Sequence, residues 1–260
     1  MDFLIVIFAA VMASMLTLYS GFGLGTLLLP VFVLFFPAPV AVAATAFVHL
    51  LNNVFKGGLL WRGADWSVLL RFGVPAIPAA IAGAWILGRL DAGSSMFEWQ
   101  AAGRIFGPEP AGFTIGVMMI LFALLEWQSW FQKLATPRRF MPLGGLITGF
   151  LGGLTGHQGA LRSAFLLKSG LEARAFVATG VMIAILVDLA RLPAYAASLW
   201  SEGVFTFREL ALVGTASLAA FAGAYIGTRT LEKVTLDMVR HVVAVLMIGI
   251  GSAMVTGLVG

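Results

Sequence analysis

The stretch YSGFGLGTLLLP, residues Tyr19–Pro30, places a glycine-rich break between two apolar runs of the chain. A related break, GGLTGHQGA, recurs in the second half at Gly152–Ala160. Backbone that has left a helix is tolerated at membrane depth only where protein or a water-filled cavity satisfies it, and transporters place binding sites at such interruptions. The pair of breaks therefore predicts a transporter whose site lies where the breaks lie.

The composition indicates an integral membrane protein. The 260 residues are 60% hydrophobic and 11% charged, at a mean hydropathy of +0.98, far from the average of soluble domains. The net charge of +4 comes from basic residues scattered over short segments, so we expect the lipid bilayer as partner and no nucleic acid. The chain has no cysteine, and its three histidines show no ligand spacing, so we expect no metal site.

The apolar runs predict ten membrane segments. The two shortest, 22–36 and 160–170, would be only about 22 and 16 Å long as helices, too short for a hydrocarbon core of about 30 Å. We therefore expect them to be half-helices that follow the two breaks. The segments are 3–18, 22–36, 40–60, 66–90, 112–132, 140–156, 160–170, 173–198, 206–229 and 238–258.

The distribution of lysine and arginine predicts the orientation, because short basic loops stay in the cytoplasm. If all ten segments alternate sides, eleven basic residues fall on one side and five on the other. We thus expect a bacterial inner membrane protein with both termini in the periplasm. Counting each broken pair as a single crossing would remove the bias. The majority side holds Lys56, Arg62, Arg71, Lys133, Arg138, Arg139, Lys168, Arg174, Arg229, Lys233 and Arg240, and the minority side Arg89, Arg104, Arg162, Arg191 and Arg208.

Five segments per half is an odd number, so two similar halves would be inverted relative to each other in the membrane. The predicted fold class is an all-α integral membrane protein of two inverted five-segment repeats. Residues 1–132 would form the first repeat, 133–139 a basic cytoplasmic linker, and 140–260 the second repeat. In the polar excursion 91–111, Trp99 and Phe106 are suited to the outer membrane interface.

The chain resembles the sulfite exporter TauE/SafE family of membrane transporters over nearly its whole length. The resemblance rests on Gly21–Gly25 followed by Leu28-Leu29-Pro30, and on Gly153–Gly159 in the second half. Leu24 interrupts the glycine run, and Ala160, Arg162 and Phe165 depart from a glycine-rich, proline-terminated pattern. Membership implies transport of small sulfur-containing or organic anions, such as sulfite or sulfonates, without a bound cofactor.

Arg162 is the sharpest candidate for anion binding, because it lies at the start of a half-helix, where a guanidinium and unpaired amides can face one anion. The alternatives are an arginine that reaches the outer surface or one paired with an acid. His157 and Gln158 could bind the anion or assist proton coupling, or could merely satisfy backbone freed by the break. The glycines could admit an oxyanion to the backbone or simply pack helices closely. The candidates at the breaks are Gly21, Phe22, Gly23, Gly25, Gly156, His157, Gln158, Gly159 and Arg162.

Two further groups are polar residues inside long apolar segments. His49, Asn52 and Asn53 share one helical face near the bilayer middle, where they line either the cavity or a helix interface. Asp188 and Arg191 are three residues apart, which favours an internal ion pair; the alternative is that Asp188 couples transport to protons.

The sequence therefore predicts a secondary transporter, working as an exporter by alternating access at a midplane site between the breaks. An anion channel and a non-transporting structural membrane protein are the alternatives. No catalytic triad spacing, His-Glu-x-x-His sequence or ATP-binding Gly-x-x-x-x-Gly-Lys loop is present, so we expect no enzymatic activity. The expected partners are a small anionic substrate and, as a candidate assembly, a second copy in a homodimer.

Overall fold

The computed structural model describes residues 2–20, 23–90, 95–128, 137–167, 169–199, 207–230 and 236–259. These residues form ten α-helices and two single 3₁₀ turns, Trp61–Gly63 and Arg138–Phe140. The helices are α1 Asp2–Ser20, α2 Leu24–Phe32, α3 Ala38–Leu60, α4 Trp66–Leu87, α5 Pro110–Trp127, α6 Met141–Thr155, α7 Gly159–Leu167, α8 Ala173–Leu199, α9 Phe207–Thr230 and α10 Leu236–Val255.

The ten helices coincide with the ten predicted segments. The two that follow the breaks, α2 and α7, have nine residues each, or about 13 Å at 1.5 Å per residue, and the prediction that they are half-helices is confirmed. Among the described residues, five stretches are long and apolar enough to cross a membrane, as judged by length and composition. These are Ala38–Gly63, Trp66–Leu87, Pro110–Trp127, Ala173–Ala197 and Phe207–Gly227.

Local sequence explains where several helices begin and end. Proline lies in the first turn of α3, α5 and α6, where no helical N–H is lost. The Asp65 carboxylate accepts a hydrogen bond of 3.1 Å from Val68 N and caps α4. Gly156 ends α6 with a φ of 80°, a left-handed conformation that favours glycine.

Helices α4 and α6 pack closely because α6 presents a stripe of glycines at every fourth position. A Cβ atom added to Gly145, Gly149 or Gly153 would lie within 2.0 to 2.3 Å of a backbone carbonyl oxygen of α4. Small residues at this spacing let transmembrane helices approach each other directly. The glycines of α6 thus bring the helix that leads into the second break against α4.

The two halves pack on each other in a reciprocal pattern. The fourth helix of the first half, α4, packs on the first helix of the second half, α6, while α1 packs on α9. The third helices, α3 and α8, also pack together, as do the fifth helices, α5 and α10. At the last contact Gly116 and Gly251 face each other, since a Cβ on either would lie within 2.8 Å of the other's carbonyl oxygen.

Around the two breaks, helix boundaries recur at an interval of 135 residues. Helices α1 and α6 end at residues 20 and 155, α2 and α7 run over 24–32 and 159–167, and α3 and α8 begin at 38 and 173. The interval is the one that aligns Gly21 with Gly156. It pairs each residue around the first break and in α3 with a residue in the second half.

The polar excursion contains an element that the sequence analysis did not predict. Strands β1 Trp99–Ala101 and β2 Arg104–Phe106 form an antiparallel hairpin, closed by Ala102 and Gly103 at φ of 49° and 74°. Two positive φ values are typical of the tight hairpin turn whose twist matches the strands. Trp99 stacks on Phe106 and donates to Thr256 O at 2.7 Å, so the hairpin is held against the end of α10. Membrane interface contact of these rings stays a prediction.

Only the last part of the predicted linker, 137–139, lies within the described residues. Arg138 Nε donates to Ser169 O at 2.6 Å, which ties the start of α6 to the connection between α7 and α8.

We predict that Gly149→Ala lowers the thermal stability of the protein in detergent. The added Cβ would lie 2.3 Å from Ala76 O, so α4 and α6 would have to separate, and overpacking of this kind costs about 1–3 kcal/mol. The measurement is the midpoint of thermal unfolding of the purified protein.

The matched control is Gly58→Ala, because an added Cβ there meets no atom within 4 Å. Its midpoint should stay close to that of the wild type. Equal midpoints for Gly149→Ala and Gly58→Ala would contradict direct backbone packing of α4 on α6.

Candidate functional site

The two breaks meet inside the protein. A Cβ added to Gly23 would lie 3.6 Å from Gly159 Cα, and one added to Gly25 would lie 3.4 Å from Gly156 O. The second contact joins the start of α2 to the residue that ends α6. Gly21 and Phe22 lie outside the described residues. The glycines of the two breaks are thus in direct contact, and the open space lies beside them.

This space is a small pocket at the junction of α2, α5 and α7. The His157 ring stacks on the Phe122 ring at a centroid distance of 5.4 Å, and His157 Nδ1 lies 3.3 Å from Thr155 Oγ1. Among the described residues, His157 Nε2 and Gln158 Oε1 are buried without a hydrogen-bond partner. Those two atoms retain unused hydrogen-bonding capacity at the second break. The lining residues are Thr26, Phe122, Glu126, His157, Gln158, Gly159, Ala160 and Leu161.

Behind the pocket, the buried Asp188 carboxylate of α8 contacts three polar side chains, those of His49, Gln158 and Arg191. One oxygen, Oδ2, lies 2.6 Å from His49 Nδ1. The other, Oδ1, accepts from Arg191 Nη2 at 2.7 Å and from Arg191 Nε at 3.0 Å. The interpretation of Asp188 and Arg191 as an internal ion pair is confirmed.

The same cluster holds the second break in place. Gln158 Nε2 donates to Asp188 Oδ1 at 3.3 Å, Arg191 Nη1 donates to Gly152 O, and the Tyr195 hydroxyl donates to Gly153 O. At the end of α6, Gly152 O, which also accepts from Gly156 N at 3.0 Å, and Gly153 O thus receive hydrogen bonds from side chains of α8. The charge of Arg191 is therefore neutralised by Asp188, and its guanidinium also donates a hydrogen bond to a backbone carbonyl.

On α3, the polar face of His49, Asn52 and Asn53 is buried as expected. Asn53 Nδ2 donates to His49 O at 2.9 Å and lies 3.1 Å from His49 Nε2. Asn52 Oδ1 accepts from Ser14 of α1 at 3.1 Å. In this structure His49 and Asn52 therefore serve interhelical hydrogen bonding, while Asn52 Nδ2 has no partner among the described residues.

Arg162 is buried in α7, with 9% of its surface exposed. Its Nε lies 3.7 Å from the position of a Cβ on Gly180 of α8, and its Nη1 has no hydrogen-bond partner among the described residues. The ion pairs of the described chain, which join Asp188 to His49 and Arg191 and Asp2 to Arg208, do not include it. Arg162 is thus buried and has no ion-pair partner among the described residues, and it is not one of the residues that line the pocket.

Sequence reasoning missed Lys56, Tyr195 and Phe122 as residues near the breaks. Lys56 was counted with the cytoplasmic loops, but it lies inside α3 with 8% of its surface exposed. A signal was present, because Lys56 follows His49 by seven residues and thus extends the same helical face. Tyr195 and Phe122 carry no such signal, since aromatic residues are common in apolar segments.

Comparison with known proteins identifies the family. The family model described as sulfite exporter TauE/SafE matches residues 6–254. The match covers both breaks and all ten helices except the ends of the first and last. No curated protein and no solved structure matches the chain at a significant level. The chain therefore belongs to the sulfite exporter TauE/SafE family, whose members are membrane transporters of sulfur anions such as sulfite.

Proposed function

We propose that the protein is a secondary transporter that exports small sulfur-containing or organic anions, such as sulfite or sulfonates. The observation that supports this most is Arg162, a buried cation without a carboxylate partner, on the half-helix that follows the second break. A charge buried in a membrane costs about 2.5–3.5 kcal/mol on insertion scales. An anion bound at the break would offset that cost.

The groups around the break match the needs of an oxyanion. Arg162 supplies a planar set of donors suited to the oxygens of a sulfite or sulfonate group. The imidazole of His157 can donate a hydrogen bond from Nε2, which has no partner among the described residues. Gln158 lies between the pocket and the Asp188 cluster, so an anion at the break would act on α3 and α8 through it.

Alternating access in this proposal comes from two inverted repeats that rock against each other. The reciprocal packing of α4 on α6 and α1 on α9 supports such repeats, as does the interval of 135 residues between helix boundaries around the breaks.

The orientation in the membrane was predicted from eleven basic residues on one side and five on the other. Three of these residues are buried inside the protein: Lys56 of the majority side, and Arg162 and Arg191 of the minority side. Without them the bias becomes ten against three, which strengthens the proposal of periplasmic termini in a bacterial inner membrane.

A proton could drive the transport through His49 and Asp188. Their side chains lie 2.6 Å apart, and histidine gains and loses protons near neutral pH. Asp188 is also the counterion of Arg191, so its replacement would disturb the whole cluster. Replacement of His49 is therefore the better way to test proton coupling without breaking the ion pair of Asp188 with Arg191.

We predict that Arg162→Ala abolishes anion transport in liposomes while the protein still inserts and stays monodisperse. The loss should be at least about a hundredfold, since removal of a charged partner from a buried pair costs about 3–5 kcal/mol. The measurement is counterflow of labelled sulfite, which a carrier shows and a structural protein does not.

The control variant is Arg104→Ala, because Arg104 is exposed on the hairpin and its loss changes the net charge equally. Its counterflow should match the wild type. Unchanged counterflow in Arg162→Ala would remove Arg162 from the site, and sulfite-dependent current without counterflow in the wild type would favour a channel.

We predict that His49→Gln uncouples transport from the proton gradient. Glutamine can still donate to Asp188, so the ion pair with Arg191 remains, but it cannot accept a proton. Uptake driven by a pH gradient should fall to the level without a gradient, while counterflow persists. The coupling proposal fails if the gradient drives uptake in this variant as strongly as in the wild type.

A further inference from the structure

Two buried cations from different halves of the chain flank the same turn of α8. Arg162 of α7 approaches α8 at Gly180. On α3, Gly57 follows Lys56 directly, and a Cβ on Gly57 would lie 2.9 to 3.8 Å from side chains of Val181, Met182 and Ile185. The backbone of α3 at Lys56 therefore lies beside the turn of α8 that Arg162 approaches, and both side chains are buried.

Neither charge is neutralised by the protein. Lys56 and Arg162 are both more than nine-tenths buried, and no ion pair within the described residues includes either of them. The buried Asp188 carboxylate does not form an ion pair with Arg162, because its two oxygens are engaged by His49 and Arg191. A region with two uncompensated positive charges is thus left inside the helix bundle.

The interval of 135 residues shows how this excess arises. It pairs Lys56 of α3 with Arg191 of α8, and Asn53 with Asp188. Arg191 is neutralised by Asp188, three residues before it. The residue three positions before Lys56 is the neutral Asn53, and its side-chain amide donates a hydrogen bond to His49 O. The second half therefore carries its own counterion, and the first half lacks one.

We propose that Lys56 and Arg162 together form a binding site for oxyanions with two negative charges, and that Lys56 determines the preference for divalent over monovalent anions. The inference rests on the proposed function, in which Arg162 binds the anion. A divalent anion such as sulfite or thiosulfate would neutralise both cations. A monovalent sulfonate would leave one charge buried and uncompensated, which is costly.

The test compares thiosulfate, which is divalent, with methanesulfonate, which is monovalent. Binding to purified protein at constant ionic strength is followed by the anion-dependent rise in the thermal midpoint, and transport by inhibition of sulfite counterflow. The wild type should bind thiosulfate at least about tenfold more tightly than methanesulfonate. Lys56→Met should reduce that ratio to about threefold or less, mainly through weaker thiosulfate binding.

Two controls separate charge at Lys56 from other effects. Lys56→Arg keeps a positive charge and should keep the wild-type ratio. Arg104→Gln removes an exposed charge and should also keep it, because it changes only the net charge of the protein.

The outcomes distinguish failure of this inference from failure of the proposed function. If Arg162→Ala loses binding of both anions while Lys56→Met keeps the wild-type ratio, the inference is overturned and the proposed function stands. If Lys56→Met does not fold, the wild-type ratio decides, and equal binding of the two anions overturns the inference. If neither anion binds the wild type and sulfite shows no counterflow, the proposed function itself fails.

Discussion

The fold depends on contact between the two glycine-rich breaks. Gly23 lies against Gly159 and Gly25 against Gly156, so the backbone that leaves helical geometry in each half packs on the other half. A Cβ added at Gly23 or Gly25 would meet the other break at 3.6 or 3.4 Å, which is ordinary van der Waals contact. Since unpaired backbone is costly in a membrane, its burial here requires other groups to complete its hydrogen bonding, and α8 provides them.

The electrostatics of the interior follow from that requirement. Arg191 and Tyr195 satisfy the carbonyls of Gly152 and Gly153 at the end of α6, and Asp188 neutralises Arg191. The cations that remain, Lys56 and Arg162, have no such structural duty among the described residues. A protein that only spans the membrane has no need of two unneutralised charges in its interior, whereas a protein that binds anions there does.

Much of the architecture could be predicted from the sequence, because apolar segments and glycine-rich breaks are local signals. Hydropathy located all ten helices, and length alone identified α2 and α7 as half-helices. The spacing of Asp188 and Arg191 predicted their ion pair, because residues three apart share a helical face. The helical face of His49, Asn52 and Asn53 was predicted in the same way.

Contacts between distant segments could not be predicted, because they depend on how the helices pack. Nothing in the sequence placed His49 of α3 beside Asp188 of α8, or Tyr195 beside the carbonyl of Gly153. Lys56, near the end of the predicted segment 40–60, was counted with the basic residues of the cytoplasmic side because charged residues near segment ends usually lie outside the membrane. The hairpin around Ala102 and Gly103 was missed because its strands have only three residues each.

The most direct test of the account is cross-linking of the two breaks in the membrane. The chain has no cysteine, and a Cβ on Gly23 would lie 3.6 Å from Gly159 Cα, which is less than the usual Cα–Cα separation across a disulfide. The double variant Gly23→Cys/Gly159→Cys should form an intramolecular disulfide on mild oxidation, whereas Gly23→Cys/Gly58→Cys should not. Absence of the cross-link in the first variant, in protein that still folds and inserts, would contradict the claim that the two breaks meet inside the protein.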